Sequence, residues 1–488
     1  MKRTLTKLAA AGALVAVGVS GMAPMAHAGD DSTVRVLSNA GSDTTYPVME
    51  ALAYAYNLNP TYNADGDLIV SVPPLHAVSD DLEAAEALFT DKSWIAAARK
   101  AWPTGEVVPA DASCTYDRHF GGQGAMDNNN DGDVLDAGDT RYQQNAVDYN
   151  ADADTTDPGE VTRYGQVAPN GSSSGRTYAL DSANNPIDCV DLVRSSSAPS
   201  VAQQVNFDTW AFALDAVGWT YFPGNTHGVL AMTQAQLGQV YTCATANIDG
   251  NIDGDFNDVG DQATGQPKLR YWGDLSGNPA DLDPIKAYRI QLGSGTGDDV
   301  AKTLFGLAAQ TDIGSNCTGG ANAWYPTVQE HDCRNVTDVD KPDALCSFGY
   351  SRWKLQSKSI EFDKRNGAKF GAFAIGAGTP ILPTPSTISE TAATNYDASR
   401  YVYTLITKNQ DGTGTDLAAF NDALTFTGVE ADPDGAGPLL ATPGYVCSNA
   451  ASKVIKAFGL VTIKKGTTDA GDATYGQSYC RHNKYSIT

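Results

Sequence analysis

Cations are scarce in this sequence: 33 lysines and arginines stand against 57 aspartates and glutamates, for a formal net charge of −24 over 488 residues. Nucleic acids and anionic membranes are recognised through basic surfaces, so both are poor partners for such a chain. Beyond the N-terminus no apolar run is long enough to span a bilayer. None of the eight cysteines forms a Cys-x-x-Cys pair, which removes the common metal and redox motifs. His-Glu-x-x-His is also missing, the nearest string being "QEHD" at 329–332, and a zinc peptidase therefore has no support.

What the N-terminus does carry is a leader. Lys2, Arg3 and Lys7 precede an apolar run from Leu8 to Val19, and the small-residue string "MAHA" ends at Ala28. This is the pattern of a secretory signal peptide, residues 1–28, and its removal makes the chain three charges more negative. No cysteine lies near the cleavage point to accept a lipid, so the mature chain is expected to be exported and free of an anchor. An even number of cysteines in an exported protein reads as four disulfides; Cys114 with Cys189 and Cys447 with Cys480 are plausible pairs because each brackets a loop-rich stretch.

Strand-like runs followed by helical patterns recur, at 34–57, at 210–222 and in "YRIQLGSGTGDDVAKTLFGLAA" at 288–309. This alternation predicts an α/β fold with mainly parallel sheets, and the length predicts two lobes. Between the elements lie stretches rich in Asp, Asn and Gly, about 121–170 and 244–265, that look like insertions. They hold an internal repeat: "DNNNDGDVLDAGD" (127–139), "DYNADADTTDPGE" (148–160) and "DGNIDGDFNDVGD" (249–261) share one template. Oxygen ligands at alternating positions with a glycine at the turn suit Ca²⁺, which takes six to eight oxygens in a flexible shell. The expected ligands are Asp127, Asn129, Asp131 and Asp133 in the first copy, Asp148, Asn150 and Asp152 in the second, and Asp249, Asn251, Asp253 and Asp255 in the third. The last acid falls at position 13 rather than 12, and Ala153 replaces the turn glycine in the second copy. A solvated acidic loop would have the same composition.

The corner Gly293-Ser294-Gly295-Thr296 is followed by Val300, Leu304, Leu307 and Ala308 at helical spacing, with Asp298 and Asp299 in the first turn. Free N–H groups, glycines and hydroxyls at a helix start make an anion site without a positive side chain. One such corner is more often a plain capped helix, but the chain has four. The others are "AGSDTTYPVMEAL" with Gly41, Ser42, Asp43, Thr44 and Thr45; "NGSSSGRTYAL" with Ser172, Ser173, Ser174 and Arg176; and "LVRSSSAPS" with Arg194, Ser195, Ser196 and Ser197.

In that order, these corners resemble the phosphate-binding proteins of ABC transporters, within the type 2 periplasmic substrate-binding superfamily. "AGSDTTYPVM" is similar to the family's first phosphate loop, with Thr45-Tyr46-Pro47 at its Thr-Phe-Pro. "GSSSGR" resembles its Gly-Ser-Ser-Gly-Gly, "DLVRSSSAPS" its Asp-Phe-Gly-Ala-Ser-Asp-Ala-Pro, and "RIQLGSGT" its Arg-x-x-Gly-Ser-Gly-Thr. "FALDAVGWTYF" and "MTQAQLGQVYT" resemble the strand and helix entering its second lobe. The resemblance implies two α/β lobes, 29–209 plus 357–488 and 210–356, joined by a hinge, with loop insertions. It further implies a tetrahedral oxyanion in the cleft, held by Thr45, the Tyr46 amide, Ser173, Ser294, Gly295 and Thr296, and delivery to an ABC permease.

Two departures stand out. The family's carboxylate, acceptor for the proton of HPO₄²⁻, falls at Ser197, and its arginine falls at Ile290, one residue after Arg289. A buried donor without a partner costs about 1–3 kcal/mol, so a protonated anion needs an acceptor. Asp43 is the candidate, with Arg176 and Arg194 as candidate clamps. Two rivals are weighed beside this reading. A serine hydrolase would use Ser173 of the Gly-x-Ser-x-Gly string at 171–175, but "YGQVAPN" is too polar to be its strand. A calcium-stabilised envelope or adhesion protein would keep the fold with an inactive cleft.

Overall fold

The computed structural model describes residues 36–57, 59, 61–62, 68–71, 144–146, 162–164, 171–180, 183, 190, 192–225, 227–250, 255, 261–328, 333, 336–356, 367–390, 395–407, 428–429, 442–463 and 479–487. The leader, the first two acidic repeats and most of the third lie outside these residues.

A nine-stranded sheet organises the chain: β1 (Val36–Gly41), β2 (Leu68–Ser71), β3 (Leu192–Ser195), β4 (Phe207–Tyr221), β5 (Lys286–Ala287), β6 (Ala344–Gly349), β7 (Lys369–Phe370), β8 (Ser399–Thr407) and β9 (Arg481–His482). Its order is β2-β1-β3-β8-β4-β6-β5, with β7 and β9 also paired to β4. The α/β class expected from the sequence is present, but the sheet is mixed rather than mainly parallel. β1 lies parallel to β2 and β3, whereas β8 runs antiparallel to both β3 and β4. The reason is that β8 returns from late in the chain to fill the place between them.

β4 carries "FDTWAFALDAVGWTY", a near-continuous apolar run, and fourteen of its fifteen residues are buried. Such a run requires cover on both faces. Its first part pairs with β8 and its last part with β6 and β7, so one strand serves two regions of the sheet. Phe212 is bulged: Ala213 faces Val402 and Ala211 faces Tyr403, leaving Phe212 without a partner on β8. An extra residue reverses the side-chain alternation. Hence Trp210, Phe212 and Ala213 share one core while Ala211 and Leu214 lie in the other.

Two helices cover the first of these cores. In α1 (Tyr46–Asn57), Val48, Met49, Leu52, Ala53 and Tyr56 form a buried stripe at helical spacing. The partner is a C-terminal helix, Asn449–Ala457, whose Ser448 caps it by accepting from the Ala451 amide. On the other face lie α2 (Ser172–Ala179) and, further along, two short helices, α3 (Trp272–Ser276) and α4 (Gly295–Asp299). α4 continues as one π-helical turn over Val300–Leu304, which buries Val300 and Leu304 of the expected stripe together with Ala301; the helix stops there, and Leu307 and Ala308 lie beyond it, half-buried and exposed respectively.

Three disulfides join described residues: Cys243–Cys317, Cys333–Cys346 and the expected Cys447–Cys480. Cys114 and Cys189 lie outside the described residues. The third acidic loop is closed at its base by paired amides of Ile248 and Gln262, at 2.8 and 3.0 Å, and Asp261 accepts from the Gly250 amide at 3.0 Å. Of its expected ligands, only Asp249 and Asp255 are described. Among the described residues no helix is long and apolar enough to cross a membrane.

Candidate functional site: four hydroxyl corners and a buried arginine

The four corners meet. The Thr44 and Thr296 hydroxyls lie 2.8 Å apart although 252 residues separate them in sequence. Thr296 donates to Ser196 Oγ at 3.4 Å, and Ser196 touches Ser172 Oγ at 3.2 Å while donating its amide to that oxygen at 2.9 Å. One hydroxyl from each corner thus belongs to a single buried chain, and each can donate and accept.

Local geometry explains why glycine punctuates these turns. Gly41 has φ +133°, and a Cβ there would stand 2.2 Å from the Arg194 carbonyl oxygen, which accepts from the Ser42 amide at 3.0 Å. Gly295 faces Ser172 Oγ, where a Cβ would come within 2.3 Å. Both positions let one corner's backbone approach another. Ser294 caps α4, its hydroxyl accepting from the Gly297 amide at 2.9 Å, so this side chain organises the corner from within.

The remaining expected residues take distinct places. Ser42, Asp43 and Thr45 are buried in the first corner, with Tyr46 opening α1, and Thr45 Oγ1 reaches the Ser42 carbonyl at 3.5 Å. Ser173 is exposed and donates to the Gly293 carbonyl at 3.3 Å, while the Ser174 side chain lies outside the described residues. Arg176 reaches from α2 to Ser195 Oγ at 2.9 Å and to the carbonyl and hydroxyl of Ser197, both at 3.5 Å. Burial lowers its pKa to about 10, against the pull of Asp298 and Asp299. Arg194 is directed away from the hydroxyl chain: it donates to the carbonyls of Asn39, Ser42 and Gly41 at 2.6, 2.9 and 3.4 Å and stacks over the Tyr46 ring at 5.1 Å. It braces the first corner.

The cation that does enter the chain is Arg400 of β8, which no local motif in the sequence marks. Its guanidinium donates to Thr296 Oγ1 at 2.8 Å, Asp299 Oδ2 at 2.8 Å and Asp215 Oδ2 at 3.1 Å. Asp215 is its register partner on β4 and also accepts from the Ser351 amide at 2.8 Å. Burial pushes Asp299 up to about 6, opposed by Arg400. For Arg400, burial pulls the pKa down and the two carboxylates outweigh it, so the group is held charged. The Nε of Arg400, the Nε of Arg176 and the hydroxyl of Ser42 are buried without hydrogen-bond partners. Spare donors of this kind call for an acceptor.

Among the described residues, both histidines are engaged elsewhere by carboxylates: His227 by Asp281 and Asp343, and His482 by Asp208. Ser173 thus gains no histidine base from them. His331 lies outside the described residues.

No protein-family model matches the sequence, and no curated protein matches it. Solved structures do. An ABC-type phosphate transport receptor from Vibrio cholerae aligns at 12% identity and TM-score 0.42, covering 87% of this chain and 99% of its own. PstS from Borrelia burgdorferi aligns at 11% and TM-score 0.36, covering 88% and 100%. A high-affinity periplasmic phosphate-binding protein with bound phosphate aligns at 9% and TM-score 0.37, covering 88% and 90%. These belong to the group the sequence resembles. At such identities and scores the site's own hydrogen bonds, rather than the likeness, define its chemistry.

Proposed function

We propose that this chain is an exported solute-binding protein that captures phosphate or a related tetrahedral oxyanion and performs no chemistry on it. The observation that carries this is the meeting of Thr44, Ser172, Ser196 and Thr296 in one buried hydroxyl chain with Arg400 at its end. Hydroxyls that now satisfy one another can turn to an oxyanion's several acceptors, and Arg176 and Arg400 supply charge. At the third corner Ser197 offers no carboxylate, and Asp43 takes the acceptor role for a protonated anion.

The contacts also suit a hinged binder. Thr44, Ser172 and Ser196 belong to the lobe 29–209 plus 357–488, and Thr296 belongs to 210–356, so their hydrogen bonds cross the proposed boundary. An anion would enter when the corners part and replace hydroxyl–hydroxyl bonds as they close. Delivery to an ABC permease for uptake is part of this reading, as are Ca²⁺ ions ordering the three acidic repeats.

Isothermal titration of the mature, Ca²⁺-loaded protein with phosphate, and with sulfate beside it, tests the proposal. Phosphate binding with a stoichiometry of one supports it, and the sulfate arm tells whether an acceptor selects the protonated anion. Silence with both anions refutes capture and moves weight to a structural role in the envelope.

A further inference from the structure

We propose that His227, Asp281 and Asp283 form a site for one divalent transition-metal cation, Zn²⁺ by the chemistry of the ligand set, built from residues that take no part in the hydroxyl chain. One ligand atom from each of these side chains lies within 4.8 Å of the others. An imidazole nitrogen with two carboxylate oxygens is a borderline set that suits Zn²⁺, and three protein ligands leave a fourth position for water or another molecule. Two carboxylates and a neutral imidazole also balance the charge of the ion.

The imidazole is held as a ligand would be. Its Nδ1 faces Asp281 Oδ2 at 2.7 Å, while Nε2 is engaged from the opposite side by Asp343 Oδ1 at 3.3 Å. Metal-binding histidines characteristically have their second nitrogen on a carboxylate, which fixes tautomer and orientation. Asp343 lies outside the trio and comes from the segment leading into β6, where Lys286 also pairs with it at 3.5 Å. The ring is further fixed by stacking on Trp272, with planes 2° apart and centroids 5.0 Å apart. His227 is buried, Asp281 partly so, and Asp283 is exposed, which leaves one side of the site open to solvent.

The carboxylates rest on a fixed backbone. α3 begins with the Trp272 amide donating to the Asp283 carbonyl at 2.9 Å and the Gly273 amide to the Asp281 carbonyl at 3.0 Å. Asp281 Oδ1 accepts from the Asp283 amide at 3.3 Å, which turns Oδ2 toward the imidazole. A bound ion would replace the proton shared by Nδ1 and Oδ2 and recruit Asp283 from solvent, with only side-chain rotation.

The test is titration of the chelator-stripped mature protein with ZnCl₂, followed by its Co²⁺ form for visible ligand-field bands. Because acidic loops elsewhere can take up cations, each variant is compared with wild type rather than with zero. Asp283→Asn, an exposed change that leaves the fold intact, and His227→Asn should each remove one tight equivalent of Zn²⁺. Asp343→Asn should weaken that equivalent about 10- to 100-fold without removing it. A paramagnetic ion at the site should quench Trp272 in wild type and not in the Asp283 variant. Equal Zn²⁺ stoichiometry and affinity in wild type and Asp283→Asn, or Co²⁺ bands unchanged by His227→Asn, would overturn the site.

Discussion

Replacing Thr296 by Val removes one hydroxyl at nearly constant volume from a position with no solvent exposure. That hydroxyl accepts from Arg400 at 2.8 Å, touches Thr44 Oγ1 at 2.8 Å and reaches Ser196 Oγ at 3.4 Å. A hydrogen bond to a charged partner contributes about 1.5–3 kcal/mol, and in the bound state the same hydroxyl would face the anion. Since about 1.4 kcal/mol is tenfold in affinity, Thr296→Val should weaken phosphate binding roughly 10- to 150-fold by isothermal titration. Thr44→Val should act in the same direction, and because the two hydroxyls are in contact the double variant should depart from additivity by about 0.5–3 kcal/mol. Circular dichroism and melting of each variant separate lost binding from lost fold. Phosphate affinity within twofold of wild type in both single variants, with the fold intact, would refute the placement of the anion among the corners.

Arg400→Met should abolish anion binding and, by leaving Asp215 buried without its charge partner, cost about 3–5 kcal/mol in urea unfolding. Asp299 is raised from 3.8 to about 6, so the folded state binds a proton that the unfolded state releases. This contribution is full below about pH 4 and is lost as pH rises through 6. Stability should therefore fall more between pH 4.5 and pH 7 in wild type than in Asp299→Asn, by on the order of 2 kcal/mol. Gly41→Ala should destabilise by at least about 1–3 kcal/mol from its dihedral alone, and equal melting temperatures would contradict the packing of the first corner on Arg194. Removing Cys447–Cys480, which spans 33 residues, by double alanine substitution should lower stability by about 4 kcal/mol in chemical denaturation.

The corners were legible because each is a local event: a strand ends, glycines and hydroxyls follow, and a helical stripe begins within ten residues. Their hydroxyl types also pointed to one ligand chemistry. Arg400 was not legible for the opposite reason. It stands in "ASRYVYTLIT", a strand with no turn signal, and matters only because β8 pairs it with Asp215, 185 residues earlier in sequence. A lone cation in an apolar strand was the available signal, and its partner could not be read locally. Arg194 shows the converse: its place at a corner suggested a clamp, yet its donors serve the carbonyls of Asn39, Gly41 and Ser42. The sheet's mixed sense was hidden likewise, since strand direction depends on where β8 inserts.

A corner site built chiefly of hydroxyls and amides inside a chain of net charge −24 has a kinetic consequence. If the proposed capture holds, an incoming phosphate would be repelled by the long-range field until it is within the reach of those dipoles, and dissolved salt would screen that field over about 8–10 Å. Association should therefore speed up as ionic strength rises, the reverse of electrostatic steering. Once seated, the anion would be held by short-range bonds that salt hardly reaches, so residence time, more than arrival rate, would decide how well the proposed binder retains its cargo.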